Sequence, residues 1–94
     1  MPKILIFRNI VFLIFSIDKY ERRIHIHVVK KSILGFEPAK FWLEPKIELA
    51  EIGDFTSKEI NEILKLVYKF EKEIKAQLEI FRTGKKVTAI KIKK

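Results

Sequence analysis

The segment from residue 56 to residue 84 has the pattern of one long amphipathic helix. Apolar side chains recur in it at steps of three and four residues, which places them on one face of a helix. Thr56 and Glu59 have the spacing of a capping box, and Gly84 is a typical residue to end a helix. The sequence therefore predicts a single helix that lies with one face on a sheet. The apolar positions are Ile60, Ile63, Leu64, Val67, Phe70, Ile74, Leu78 and Phe81.

Four segments before this helix have the composition of strands. Residues 3–7 and 10–16 are rich in Ile, Leu, Phe and Val, and the two residues between them, Arg8 and Asn9, suit a hairpin turn in which Asn9 takes a positive φ. Apolar side chains alternate with others over residues 23–31 and 39–44, so we expect each segment to turn one face to a core. Residues 87–92 leave two interpretations open, a last strand or a basic tail that becomes ordered on binding.

The order of these segments predicts an α+β fold. Short links between successive strands favour an antiparallel sheet of four or five strands, in the order β-β-β-β-α with or without a terminal β, covered on one face by the long helix. We assign residues 1–84 to a single domain and residues 85–94 to a basic C-terminal extension that could add a strand. The second face of the sheet would be too apolar to leave bare, which predicts a homodimer or a bound partner.

Charge and composition limit the classes of function. The chain has 20 Lys and Arg against 12 Asp and Glu, a net charge of +8, which favours nucleic acid, an acidic protein or an anionic membrane surface as partner. Residues 82–94 hold six basic residues and no acidic one. Cysteine is absent, which excludes disulfides and thiolate catalysis. The longest apolar run, residues 10–17, is too short to span a membrane, and we expect a cytoplasmic protein without a membrane partner.

His25 and His27 are the two histidines of the chain and the candidate catalytic residues. Their spacing on one strand points both imidazoles to the same side, roughly 6–7 Å apart. Three interpretations stay open: ordinary strand histidines, one of them in contact with Trp42 or a backbone carbonyl; contacts to a substrate or phosphate; or metal ligands. Zinc would need a further ligand, for which Glu44 or Glu48 is available. We favour the first interpretation, and we predict no metal site and no cofactor.

Basic and aromatic residues near the histidines form a candidate binding surface. Lys40, Trp42 and Glu44 share one face of the strand over residues 39–44, where a tryptophan can stack on a base while the neighbouring ammonium meets a phosphate. Packing is the alternative role for Trp42, and a solvated surface is the alternative for the basic residues. The candidate binding residues are Arg22, Arg23, Lys30, Lys31, Lys40, Trp42 and Glu44.

Several of these segments together resemble a known family. They are His25-Ile-His-Val28, the run Ala39-Lys-Phe-Trp-Leu-Glu-Pro45 with Ile47-Glu-Leu-Ala50, and the helix opening Ser57-Lys-Glu-Ile60 after Phe55. Over residues 1–83 the chain is similar to small bacterial and archaeal proteins described as domain of unknown function 4160. It departs from them at Gln77 and Ile80, where the family commonly has Trp and His, and in the extension over residues 85–94.

The resemblance implies a protein partner, because genes of this family often neighbour a second small gene in what is suspected to be a toxin–antitoxin-like pair. Our first hypothesis is therefore a binding protein in such a two-gene module, with its open sheet face or its tail against an acidic partner, rather than an enzyme. The second is a nucleic-acid-binding or ribonuclease-like protein. In it His25 and His27 act as acid and base or as phosphate ligands, and Lys40 or Arg23 stabilises the negative charge. The third is a structural homodimer without chemistry.

Overall fold

Six strands and two helices lie in residues 3–14, 24–31 and 35–92, the parts of the chain that the computed structural model describes. The strands are β1 (Lys3–Phe7), β2 (Ile10–Leu13), β3 (His25–Lys30), β4 (Ala39–Trp42), β5 (Glu48–Glu51) and β6 (Ile90–Ile92), and the helices are α1 (Ser57–Lys69) and α2 (Glu71–Arg82). The strands form one sheet in the order β5-β4-β3-β2-β1-β6. Neighbours are antiparallel except for the parallel pair of β1 and β6. The α+β class is confirmed.

The sheet differs from the predicted antiparallel sheet of four or five strands, because it has six strands within the described residues and is mixed. The sequence does not predict β5, since its four residues, ELAE, offer only a short apolar alternation between two glutamates. For residues 87–92 the structure has a short strand, β6. β6 is parallel to β1 because the two helices carry the chain from β5 back to the free edge of β1.

The prediction of one long helix is wrong, because α1 and α2 are separate helices joined at Phe70. Phe70 has φ −107° and ψ 22°, although its amide still donates to the Leu66 carbonyl and its carbonyl still accepts from the Ile74 amide. Periodicity predicts one helix since the apolar stripe continues across the joint. The stripe itself is confirmed. Its buried members are Ile60, Ile63, Val67, Phe70, Ile74 and Leu78.

The core lies between the helices and one face of the sheet. Residues directly opposite each other on neighbouring strands share a face, and Phe12, Val28 and Ala39 form such a row across three strands. Ile26 and Phe41 form the next row, and all five side chains are fully buried. The predicted alternation on the third and fourth strands is therefore confirmed for the core face.

Both predicted ends of the helical region are confirmed. The Thr56 hydroxyl accepts a hydrogen bond from the Glu59 amide at 3.1 Å, and the Glu59 carboxylate accepts one from the Thr56 amide at 2.9 Å, which completes the capping box. α2 ends in a Schellman motif, in which the amides of Gly84 and Lys85 donate to carbonyls three and five residues back. Gly84 has φ +83°, the conformation that this motif requires of the residue after a helix.

The turn between β1 and β2 differs from the prediction at one residue. The positive φ falls on Arg8, at 56°, and Asn9 has none. A positive φ at the first of two turn residues is the type II′ pattern, in which glycine is usual because a side chain there is strained. Arg8 therefore holds a backbone conformation that costs on the order of 1 kcal/mol relative to glycine.

Gln77 is a buried polar side chain that connects α2 to two other parts of the fold. It is 6% exposed, and its Nε2 donates to the Ile4 carbonyl at 3.0 Å and to the Thr88 carbonyl at 2.6 Å. The pairing of β1 with β2 is irregular between Lys3 and Leu5, which takes Ile4 out of the ladder. The amide of Gln77 thus binds both the bulged part of β1 and the segment that leads into β6.

The face of the sheet away from the helices, here called the outer face, is closed in part by the chain itself. Val11 and Leu13 lie on this face, since they flank the core residue Phe12 on β2, and His25 lies on it beside the core residue Ile26. They are 2%, 4% and 3% exposed. The expectation of an uncovered second face is wrong at these positions, because the side chains are already removed from solvent within one chain.

Candidate functional site

Two cross-strand rows on the outer face contain most of the chemically interesting side chains. The strand register gives the rows His25–Trp42–Glu48 and His27–Lys40–Glu51. Each row crosses β3, β4 and β5, whose spacing in a sheet is roughly 4.8 Å. Imidazoles, an indole, an ammonium and carboxylates are therefore near neighbours on one surface.

The imidazoles of His25 and His27 contact each other and Trp42. The ring centroids of the two histidines are 5.2 Å apart in an edge-to-face arrangement, and the His25 ring meets the Trp42 ring at 5.5 Å in the same manner. His25 is buried, His27 is half-buried, and the Nε2 atoms of both rings are buried. The predicted contact of a strand histidine with Trp42 is confirmed. In this arrangement the His25 ring faces other side chains rather than solvent.

Lys40 and Trp42 form the predicted pair on β4. The Lys40 Nζ lies 4.4 Å from the centroid of the Trp42 ring, a cation–π contact. Glu44 was expected on the same strand face, but β4 ends at Trp42 and Glu44 lies beyond it, exposed and followed by a cis peptide bond to Pro45. Two of the three residues of this cluster are thus together on the outer face.

A metal site was considered for the histidines together with Glu44 or Glu48. The register brings Glu48 next to Trp42, with His25 on the far side of that indole. Within residues 3–14, 24–31 and 35–92, no group of three His, Asp or Glu side chains is arranged to hold a metal ion. The described geometry therefore offers no donor set on which to base a metal mechanism.

Lys30 lies on the helix side of the sheet. Every second residue of a strand points to the same face, so Lys30 shares the face of Ile26 and Val28 on β3. Its Nζ forms an ion pair with the Glu59 carboxylate at the start of α1. The same Nζ is 5.8 Å from the ring centroids of both Phe36 and Phe55. This lysine therefore fastens β3 to the first turn of α1.

The candidate binding residues do not form one surface. Lys40 and Trp42 lie on the outer face and Lys30 on the helix face. Lys31 is exposed just after β3, and its amide donates to the Asn9 carbonyl. Arg22 and Arg23 lie outside the described residues.

Replacing Glu59 by glutamine is expected to reduce the sensitivity of the fold to acid. Hydrogen bonding from Lys30, and then from the Thr56 amide, lowers the pKa of Glu59 below its usual 4.5. A lowered folded-state pKa means that the carboxylate stabilises the fold above about pH 4.5 and that this contribution disappears as the pH falls through the folded value. The thermal midpoint of Glu59→Gln should therefore lie below that of the parent above about pH 4.5 and approach it as the pH falls through the lowered pKa. The exposed Glu73→Gln is the control, and a gap for Glu59→Gln that stays constant with pH would contradict the assignment.

The two edges of the sheet carry opposite charges. β5 has Glu48 and Glu51, whereas β6 has Lys91 and follows the exposed Lys85 and Lys86. Edge strands present unpaired backbone donors and acceptors to a further strand. The composition of the tail indicated a basic segment, but only the pairing of β6 with β1 makes that segment a sheet edge.

A pocket that the sequence did not predict lies between the β1–β2 turn and α1. It is a partly open cleft of about 160 Å³, and its lining includes Arg8, Lys30 and Glu62. These residues belong to the β1–β2 turn, to β3 and to α1, which are distant in sequence, so no local pattern could have grouped them. The strained residue Arg8 is one of its walls.

Comparison with known families identifies the chain. The model of the family Domain of unknown function (DUF4160) matches residues 9–79, well over half of the chain. The chain belongs to this family. The match includes both histidines, Lys40 and Trp42 of this DUF4160 protein, whereas β1 and β6 lie outside it. Searches of curated proteins and of solved structures give no match.

The described helices of this DUF4160 protein, α1 and α2, have 13 and 12 residues. A span needs about 20 consecutive apolar residues. Neither α1 nor α2 has the length and apolar character to cross a membrane.

Proposed function

We propose that this DUF4160 protein is a binding protein that takes an acidic, extended segment of a small partner protein along the edge of β6, as one member of a toxin–antitoxin-like two-gene pair. The observation that carries the proposal is the position of β6 at the end of the strand order. Among the described strands, β6 pairs with β1 on one side and with none on the other. Its free side is therefore available for one more strand.

The chemistry of this edge supports an acidic occupant. An extended segment can add to a sheet edge through main-chain hydrogen bonds, while neighbouring side chains provide selectivity. Lys85, Lys86 and Lys91 are exposed at or before β6, and residues 82–94 contain no acidic residue. Glutamates or aspartates on the added strand would meet these lysines, with an attraction that weakens as salt is added.

The opposite edge supports the choice of β6 over β5. Glu48 and Glu51 on β5 would repel an acidic segment. A homodimer formed by two β6 strands would place Lys91 of one copy near the lysines of the other, which is unfavourable for the same reason. A separate acidic chain fits β6 better than a second copy of this protein does.

Nucleic acid is the alternative polyanion, and the outer face is less suited to it. Lys40 and the His25 ring already contact the Trp42 ring. A base that stacked on Trp42 would have to displace these contacts. We therefore treat nucleic-acid binding as an outcome of the test rather than as the proposal.

The test is a titration of the full isotope-labelled chain with two peptides of about ten residues. In the first, glutamate alternates with valine or threonine; in the second, lysine replaces glutamate. We expect the acidic peptide to bind at low salt, to shift the amide resonances of β6 and to slow their hydrogen exchange, while those of β5 stay unchanged. The double variant Lys86→Glu with Lys91→Glu should weaken binding by about tenfold or more.

A control with the same change in net charge distinguishes binding at the β6 edge from a general attraction of the acidic peptide to a basic protein. Lys65→Glu with Lys69→Glu changes two exposed lysines of α1 by the same total charge. The proposal is overturned if both double variants weaken binding equally, or if the acidic peptide shifts β5 rather than β6. It is also overturned if an oligouridine displaces the acidic peptide from β6 at equal charge concentration.

A further inference from the structure

The pocket between the β1–β2 turn and α1 combines an apolar floor with a charged rim. It is a partly open cleft of about 160 Å³, far more than the roughly 10–15 Å³ that one water molecule requires. Ile63 and Leu66 of α1 contribute apolar surface, and Arg8 and Glu62 contribute opposite charges. Such a combination is typical of sites for small amphipathic molecules.

Two of the four charges in the lining neutralise each other. Lys30 and Glu59 both line the pocket and form an ion pair with one another. Glu59 also accepts the hydrogen bond from the Thr56 amide in the capping box. These two side chains are therefore committed to the fold, and they leave Arg8 and Glu62 as the charges that a ligand would meet.

Arg8 and Glu62 keep their charges available. The Arg8 guanidinium lies 5.2 Å from the centroid of the Phe7 ring, which orients it without neutralising it. Within the described residues, Arg8 and Glu62 have no ion-pair partner. One wall of the pocket thus presents a cation, and the α1 wall presents an anion.

The backbone at Arg8 adds an independent observation. Its φ of 56° is a conformation in which glycine would be more stable. Residues held in such conformations are concentrated at ligand sites, where the strain is compensated by the rest of the structure. Glycine at this position would relieve the strain and would also remove the guanidinium from the pocket.

From these observations we infer that the pocket binds a small zwitterion with an apolar side chain, of the class of the aliphatic amino acids. Its carboxylate would pair with the guanidinium of Arg8, a geometry that favours two parallel hydrogen bonds. Its ammonium would meet the carboxylate of Glu62, and its side chain would lie against Ile63 and Leu66. The site uses none of the lysines of the β6 edge, so it is independent of the proposed function.

Three probes of nearly the same shape test each charge separately. Leucine carries both charges, isocaproate lacks the ammonium and isoamylamine lacks the carboxylate. Titrations of the labelled full chain should show saturable shifts for leucine at the amides of residues 7–10 and 59–66. Each truncated probe should bind at least about tenfold more weakly, since each lacks one ion pair.

Two variants assign the charges to residues. Arg8→Gln should weaken binding of leucine and isocaproate but leave isoamylamine unchanged, and Glu62→Gln should weaken leucine and isoamylamine but leave isocaproate unchanged. The exposed pair Arg82→Gln and Glu73→Gln on α2 should change none of the three affinities. Arg8→Gly should lose leucine binding without a lower thermal midpoint, which excludes unfolding as the cause.

Three results would overturn the inference. One is the absence of saturable shifts with leucine at millimolar concentrations. Another is a set of shifts centred outside residues 7–10 and 59–66. The third is an unchanged leucine affinity in both Arg8→Gln and Glu62→Gln.

Discussion

Gly53→Ala is expected to destabilise the fold by at least about 3 kcal/mol, a large share of the roughly 5–15 kcal/mol that stabilises a typical domain. A Cβ atom at this position would lie 2.4 Å from the Glu37 carbonyl oxygen and 2.5 Å from that of Pro38. Both contacts are with backbone atoms, which cannot move aside as a flexible side chain can. The residue also has φ +61°, where any side chain is strained. Urea unfolding measures the loss.

Two hydrogen bonds next to Gly53 explain why its backbone lies so close to that of Glu37 and Pro38. The Asp54 amide donates to the Glu37 carbonyl at 3.0 Å, and the Glu37 amide donates to the Asp54 carboxylate at 2.9 Å. The segment before α1 is thereby bound to the segment before β4. A substitution that forces the two segments apart would break both hydrogen bonds.

Gly84→Ala provides a matched control for Gly53→Ala. Gly84 also has a positive φ, +83°, but a Cβ there would meet no atom within 4 Å. This variant should lose only the conformational contribution, on the order of 1 kcal/mol. Equal losses at Gly53 and Gly84 would refute the steric part of the argument.

Gln77→Met is expected to cost about 2–4 kcal/mol in the free energy of unfolding. Methionine has nearly the volume of glutamine, so the variant removes the two donated hydrogen bonds without opening a large cavity. The Ile4 carbonyl would then lose a partner in a buried environment, at about 1–3 kcal/mol, and the Thr88 carbonyl would lose one in a partly buried environment, at the lower end of that range. Urea unfolding gives the global value, and faster hydrogen exchange over residues 90–92 should accompany it.

Glu79→Met on the same helix is the control for Gln77→Met. Glu79 is exposed, and within the described part of the chain its side chain makes no hydrogen bond to another element. A change within about 0.5 kcal/mol is expected there. If Gln77→Met lowered the free energy of unfolding by no more than Glu79→Met, the amide of Gln77 would not be stabilising β1 and the segment before β6.

Gln77 lies where two departures implied by the resemblance to DUF4160 proteins meet. The resemblance implies glutamine at a position where Trp is common, and a C-terminal extension over residues 85–94. The amide of Gln77 binds the Thr88 carbonyl within that extension. An indole has a single donor, so it could not bind the carbonyls of both Ile4 and Thr88. The residue and the added strand are parts of one structural arrangement.

Local patterns in the sequence were sufficient for part of the fold. The capping box at Thr56 and Glu59, the helix end at Gly84 and the buried faces around Ile26 and Phe41 were all predictable. Each depends on residues that are close in sequence, through a cap, a turn or an alternation. Such features follow from chemistry that acts within a few residues.

Features that depend on distant residues were not predictable in this way. β5 and β6 are short edge strands that depend on a neighbour: β5 was not predicted, and for β6 a strand and a basic tail stayed open. The joint at Phe70 interrupts a stripe that the periodicity describes as continuous. A two-residue hairpin accepts a type I′ or a type II′ turn, and the local sequence did not decide between them. The structure has the positive φ at Arg8 and not at Asn9.

The candidate site was predicted with the same limits. Alternation placed His25 with His27 on one strand face and Lys40 with Trp42 on another, and a contact of one histidine with Trp42 was among the open interpretations. The structure brings the two pairs together on the outer face. The burial of His25 and the position of Lys30 against Glu59 required knowledge of which face the helices cover. The pocket at Arg8 required the tertiary contact of a turn with a helix.

The parallel pairing of β1 with β6 has a consequence for synthesis on the ribosome. Leu5 pairs with Ile90, so β1 gains this neighbour only after the intervening 84 residues have been made. Contacts between residues so far apart in sequence form slowly because a long loop must close. In a nascent chain of this protein, the apolar edge of β1 therefore stays unpaired until β6 has been made. A chaperone would have most to protect during that interval.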